Sequence, residues 1–160
     1  MAWRGSTTVQ DRIFASLPYL LPLIEGLLQF GQLLQQFPSL QFLFLPLIPV
    51  IALYRSLGSW GSLIIFFVLF LAVVRNERIS HFIRFNAMQA LLLDILLIII
   101  GLILGFLQPV LGTSSLIVST LMNLVFLAIV AACGYSMVRS LLGHYAEIPT
   151  LSEAAKAQVR

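Results

Sequence analysis

The chain has 160 residues, 60% hydrophobic and only 9% charged, with a net charge of +3. A soluble domain carries about 25% charged residues, so this composition excludes an ordinary soluble domain and a disordered chain. One cysteine, Cys133, excludes an internal disulfide and a four-cysteine zinc site.

The opening stretch MAWRGSTTVQDR reads as too short for a transit peptide. The apolar run behind it continues through Pro18, Pro22 and Glu25 without a small-residue cleavage site, which predicts a first span rather than a cleaved signal. Crossing a hydrocarbon core of about 30 Å takes roughly 20 helical residues. Four stretches are suited to it: about 13–34, 57–74, 87–107 and 116–142. The sequence therefore predicts an all-α integral membrane protein. Residues 1–145 form a single four-helix transmembrane domain and 146–160 a short polar C-terminal tail.

In the first span Pro22 cannot bond the carbonyl of Pro18, so a kink or break is expected there. Glu25, Gln29 and Gln32 follow. Such a broken helix either lines a water-filled cavity or frays at the outer interface. The next stretch, 37–56, is apolar but holds Pro38, Pro46 and Pro49, and proline removes a backbone donor that hydrocarbon cannot replace. It is expected to be an interfacial or re-entrant segment, with Tyr54 and Trp60 as aromatic anchors. Charge supports this. With four spans and the N-terminus inside, Arg4, Arg12, Arg75, Arg78, Arg84, Arg139, Lys156 and Arg160 lie on the inner side and only Arg55 on the outer. That is the positive-inside pattern, which a fifth crossing would destroy. The same placement beside spans accounts for the basicity without nucleic acid.

The loop from Arg75 to Asn86 is basic and aromatic, reading as a headgroup-facing loop or a docking surface, and Ser80 is placed to cap the third span. At about 100° per residue, Ala87, Ala90, Asp94, Gly101 and Gly105 share one narrow stripe of that span. Gly101 and Gly105 form a small-xxx-small helix-packing pattern. A carboxylate this deep costs on the order of 2.5–3.5 kcal/mol on insertion scales and should face protein or water. Arg84, Arg139 and Tyr135 are candidate partners. Asp94 is open to three readings: a packing contact, part of a polar path, or a proton relay. The fourth span carries Asn123, then small residues from Ala128 to Ser136, suited to packing on the third; Cys133 among them reads as an inert thiol.

No catalytic constellation is present. His81 and His144 are distant in sequence, and no zinc-protease, nucleophile-elbow or phosphate-loop motif occurs. The chain is expected to be non-enzymatic, with no cofactor and no metal.

Several blocks resemble the Tic-twenty family, the small four-helix membrane subunit of the translocon at the inner chloroplast envelope, which has cyanobacterial relatives. They are Leu17-Pro-Tyr-Leu-Leu-Pro-Leu23, Pro46-x-x-Pro49 with Tyr54-Arg55, Phe66-Phe67 through Val73-Val74-Arg75-Asn76, and His81-Phe-Ile-Arg-Phe-Asn-Ala-Met-Gln-Ala90 with Leu93-Asp94-Ile95. The resemblance runs from about Arg12 to Tyr145, and the Arg-Phe-Asn-Ala-Met-Gln-Ala block is its most specific part. It implies four membrane helices, both termini on the cytoplasmic or stromal side, and a channel-associated or channel-forming role in preprotein transport. Eight arginines to one lysine favour a cyanobacterial over a plastid-encoded origin, which would place the chain in a plasma or thylakoid membrane; the alternative is the plastid inner envelope.

Under this reading Glu25, Arg84, Asn86, Gln89, Asp94 and Arg139 form a polar path or packing cluster. The partners are membrane lipid, other membrane subunits in an oligomer or hetero-complex, and a translocating polypeptide. Four helices are too narrow to enclose a polypeptide, so a channel would need further subunits. The competing expectation is a scaffold or assembly factor for other membrane complexes, through which nothing passes.

Overall fold

The computed structural model describes residues 7–112 and 116–159. Its main helices are α1 (Val9–Phe30), α2 (Pro38–Ser56), α3 (Gly58–Val74), α4 (His81–Leu111), α5 (Leu116–Leu141) and α6 (Leu151–Gln158), with a short helical piece at Gln32–Gln36 after α1. Four of them, α1, α2, α4 and α5, are long and apolar enough to cross a membrane, and α3 is an apolar helix of shorter length. The chain is an all-α integral membrane protein.

α1 starts with a reciprocal cap. Thr8 Oγ1 accepts from the Asp11 amide at 3.1 Å and Asp11 Oδ2 accepts from the Thr8 amide at 3.0 Å, pairing two donors that a helix start leaves free. The expected irregularity falls one turn earlier than Pro22. The α-helix runs to Ser16, tightens into a 3-10 turn at Leu17–Tyr19 and resumes at Leu20, so Pro22 sits inside regular helix with Pro18 in the tight turn before it. The 3-10 turn absorbs the strain of the proline pair locally.

The prolines of α2 shape it without ending it, and Pro46 lies inside its 3-10 piece. Residues Pro38–Leu47 are 3-10 helix and Ile48–Ser56 are α-helix, with Pro38 and Pro49 in the first turns of the two pieces, where a missing N–H costs least. α2 follows Gln36, brings Phe44 to 6.1 Å (ring centroids) from Phe126 of α5, bonds Glu25 of α1 through Tyr54, and ends in a turn at Gly58. Gly58 adopts φ 70°, a left-handed conformation that glycine takes without strain. α3 then runs to the polar end of the bundle, where Arg84 Nε donates to the Val74 carbonyl at 2.9 Å. The last turns of α3, Leu69–Val74, are π-helical.

Two groups of buried side chains hold the bundle together. Tyr19, Leu23 and Phe30 of α1 meet Leu93 and Leu97 of α4 and Phe126 and Ile129 of α5. Leu21 and Ile24 meet Tyr54, Val74, Phe85 and Leu91. Large apolar side chains such as Phe106, Val110 and Leu116 point outward, as acyl chains permit and water would not. The tail does not hang free. α6 packs against α4, burying Ala155 and Val159.

A layered polar seam along the third crossing helix

The polar residues of α4 lie at three depths. At the polar end, a cavity of about 700 Å3 is lined by Arg12, His81, Arg139, His144, Glu147 and Lys156 among others. The two histidines, distant in sequence, share it. His81 Nδ1 is 3.1 Å from the Tyr145 hydroxyl and its Nε2 is 3.2 Å from the Val159 carbonyl. The Tyr145 ring meets Phe82 and Phe85 edge-on, with centroids 5.1 Å away in both cases. Burial pushes the pKa of the Tyr145 hydroxyl up, so the group stays neutral beside His81. Ser80 does not cap α4 with its side chain; it donates to Asp11 Oδ1 at 3.3 Å and so ties the 75–80 loop to the start of α1. Lys156 and Glu147 pair at 3.0 Å, both exposed, which limits their worth.

One to two turns deeper lies a dry polar layer. The Tyr19 hydroxyl donates to Asn86 Oδ1 at 3.0 Å and accepts from Gln89 Nε2 at 3.0 Å. Ser140 Oγ donates to the same Asn86 oxygen at 3.0 Å, and Asn86 Nδ2 donates to the Phe82 carbonyl at 2.8 Å. Asn86, Gln89, Tyr19 and Ser140 are all fully buried. Three helices are thus joined by polar bonds where hydrocarbon offers no alternative partner.

The third layer is acidic. Asp94 is fully buried and neither carboxylate oxygen has a hydrogen-bond partner among the described residues. Its proposed partners lie elsewhere. Arg84 bonds Val74, Arg139 lines the cavity at the polar end, and Tyr135 is exposed on the outer surface. Among its surroundings, Glu25 of α1 lies within electrostatic range of Asp94. Glu25 Oε1 accepts a hydrogen bond from the Tyr54 hydroxyl. Tyr54, expected as an interfacial anchor, is therefore turned inward and buried, because a membrane carboxylate needs a donor more than the interface needs a ring. Beside this pair a cleft of about 420 Å3 opens between α1 and α4, lined by Glu25, Leu28, Gln29, Ile98, Gly101 and Leu102. Gly101 receives the Gln29 side chain, which a Cβ there would displace, whereas Gly105 faces open space.

Of the six residues grouped from sequence, Asn86 and Gln89 join in one network, Glu25 bonds Tyr54 instead of any of the six, Asp94 bonds none of the described residues, and Arg84 and Arg139 stand apart from the network. Tyr19 and Ser140 were missed. The available signal was a hydroxyl in each span at the depth of Asn86, visible only after the helices are paired.

A family profile described as chloroplast import apparatus Tic20-like matches residues 8–155. A Tic20 family protein of a Synechocystis species is 50% identical over 161 residues, covering 100% of this chain and 99% of that protein. Protein TIC 20-II, chloroplastic, of Arabidopsis thaliana is 37% identical over 96% of this chain and 74% of its own length. The Tic20 family protein Ycf60 of Gracilaria tenuistipitata is 35% identical over 95% of this chain and 76% of its own length. The helical bundle with its buried polar layers on α4 is that of a member of the Tic20-like family.

Proposed function

We propose that the chain is a non-enzymatic subunit of a membrane protein translocon and contributes one wall of a path for preproteins. The observation that carries this reading is the lateral opening of the acidic layer. Glu25 and Gln29 are reachable between Leu28, Ile98 and Leu102, side chains that otherwise face acyl chains. A polar notch in a lipid-facing wall is costly unless a protein neighbour or a passing chain covers it. Asn86, Gln89 and Asp94 are themselves fully buried, so the seam inside one chain is packed. A polypeptide would pass along the notched face, between this chain and another subunit. The family description, with its reference to an import apparatus, supports the same role.

In this reading α2 and α3 together make one broken crossing. α2 covers the part nearer Gln36 and α3 the part nearer Arg75. Both termini then lie on the cytoplasmic or stromal face, with the Arg75–Ser80 loop. The similarity to the Synechocystis protein supports a cyanobacterial membrane as the site of action.

The test is photocrosslinking in native membranes during translocation of a tagged preprotein. A photoreactive residue at Leu102, in the notch, should capture the moving chain. One at Val110, near the far end of α4, serves as the comparison. Capture of resident membrane subunits alone from both positions would favour the scaffold role, which the interlocked Tyr19–Asn86–Ser140 layer would also suit.

A further inference from the structure

The cavity at the polar end holds more positive charge than its own acids neutralise. Arg12 of α1, Arg139 of α5 and Lys156 of α6 line it, with Asp11 and Glu147 as the acids. Glu147 pairs with Lys156 at 3.0 Å, the one ion pair among the described residues. Asp11 turns both oxygens elsewhere: Oδ2 accepts from the Thr8 amide and Oδ1 from Ser80 Oγ. The two guanidinium groups are therefore left without a carboxylate. The histidines do not change this balance. The His81 ring nitrogens lie against the Tyr145 hydroxyl and the Val159 carbonyl, and His144 is exposed.

Arg139 shows the deficit most sharply. Its Nε is buried and has no hydrogen-bond partner among the described residues. A buried donor on a cation is costly to leave unpaired. Arg12 is positioned by its neighbours. Its Nε donates to Thr7 Oγ1 at 3.2 Å, which leaves the two terminal nitrogens for a further acceptor. Gly143, at φ 78°, makes room for this group: a Cβ there would stand 2.8 Å from Arg12 Nε and 3.1 Å from Cζ. The chain just beyond α5 is thus shaped to admit the guanidinium of α1.

Planar guanidinium forks match the oxygens of a phosphate group. The volume of about 700 Å3 lies within the range of small-molecule sites, roughly 300–1,000 Å3. Phe82, Phe85 and Leu142 give the same cavity an apolar wall, suited to the carbon part of an ester. We propose that this cavity binds a phosphate ester through Arg12 and Arg139. The ester is a phospholipid headgroup or a water-soluble phosphate, with the same chemistry at the two arginines. The cavity shares no lining residue with the cleft at Glu25, so the site does not depend on the translocon reading.

The test is thermal unfolding of the full chain in neutral detergent micelles, where a ligand of the folded state raises the midpoint. One arm adds glycerol 3-phosphate and compares it with sodium chloride at equal ionic strength. The other adds phosphatidylglycerol and compares it with phosphatidylcholine at equal lipid content. A rise with the lipid alone assigns the headgroup, and a rise with glycerol 3-phosphate assigns the soluble ester. No rise in either arm overturns the proposal, and this comparison needs no variant to fold.

Arg12→Gln and Arg139→Gln should each weaken the apparent affinity about tenfold or more. Arg78→Gln removes an exposed charge from the neighbouring loop, outside the cavity lining, and should leave the affinity unchanged. Equal weakening in all three variants would mean that the midpoint reads surface charge alone, and also overturns the proposal.

Discussion

The Tyr19 hydroxyl donates to Asn86 Oδ1 across 67 positions of sequence, at 3.0 Å, inside a membrane bundle. The bond fixes the rotation of α1 against α4, because both side chains are fully buried and neither can turn to another partner in lipid. Removing the hydroxyl strands Gln89 Nε2 and leaves Asn86 Oδ1 with Ser140 as its remaining donor, while Asn86 Nδ2 keeps the Phe82 carbonyl. Gln89 Oε1 already lacks a partner, so the amide would lose both ends. Tyr19→Phe should lower stability by about 1 kcal/mol, the scale of interhelical hydrogen bonds in membranes. Reversible unfolding in mixed micelles measures it. A double cycle with Ser140→Ala should show coupling, since both hydroxyls share one acceptor.

The glycines of the bundle differ in what surrounds them. A Cβ on Gly26 would lie 2.6 Å from Ile129 Cγ2, inside the packed contact between α1 and α5. Gly26→Ala should therefore destabilise by roughly 1–3 kcal/mol through overpacking. Gly105 has nothing within 4 Å of the same position. Gly105→Ala should be neutral or stabilising by up to about 1 kcal/mol, since alanine is the better helix former. Equal losses from both substitutions, in the same unfolding assay, would mean that Gly105 meets another helix in the membrane.

Tyr145 anchors the tail through both its ring and its hydroxyl. Tyr145→Phe keeps the two edge-on contacts with Phe82 and Phe85 and loses the bond to His81, so a cost of about 1 kcal/mol is expected. Tyr145→Ala removes the ring as well and should cost about 3–5 kcal/mol. Protease sensitivity of residues 146–159 should rise steeply in the alanine variant and little in the phenylalanine variant, because α6 docks on the same surface.

How much of this was legible varies with the kind of physics involved. The first half of the α4 stripe was legible because a helix repeats every 3.6 residues: Ala87, Ala90 and Asp94 are all fully buried, whereas Gly101 is half-buried and Gly105, expected in the same packing stripe, is exposed. Three of the four helices of crossing length, α1, α4 and α5, were legible from apolar run length; between them the sequence points to 57–74 as the span, whereas Pro38–Ser56 has the crossing length and Gly58–Val74 is shorter. What lies between helices was not. Periodicity gives the face that Asn86 and Gln89 occupy but says nothing of Tyr19 and Ser140 across from them. Tyr54 read as an anchor because its neighbours are apolar; its real partner, Glu25, is 29 positions away. The proline-rich stretch was legible as irregular: Pro38–Leu47 is 3-10 rather than α-helix, with Pro46 inside it, and Pro49 falls in the first turn of the α-helix that follows. The tail read as merely polar because its apolar positions, such as Ala155 and Val159, are few; docking on α4 makes them sufficient.

Topology yields the last prediction. Ser80 is bonded to Asp11, and His81 to the Val159 carbonyl, so the 75–80 loop, the start of α1 and the end of the tail share one end of the bundle. Those three elements hold Arg12, Arg75, Arg78 and Lys156, basic residues that the positive-inside rule assigns to a single face. Cysteines introduced at Ser80 and Glu153 should therefore react with an impermeant maleimide from the same side of sealed vesicles, and one at Gln36 from the other. Cys133 is fully buried, and its replacement by serine gives a silent background. The position at Ser59 separates the two accounts of α2. If α2 and α3 form one broken crossing, Ser59 is reached from the Gln36 side or is shielded. If α2 crosses alone, the α2–α3 turn emerges with Ser80, and a cysteine at Ser59 reacts from that side.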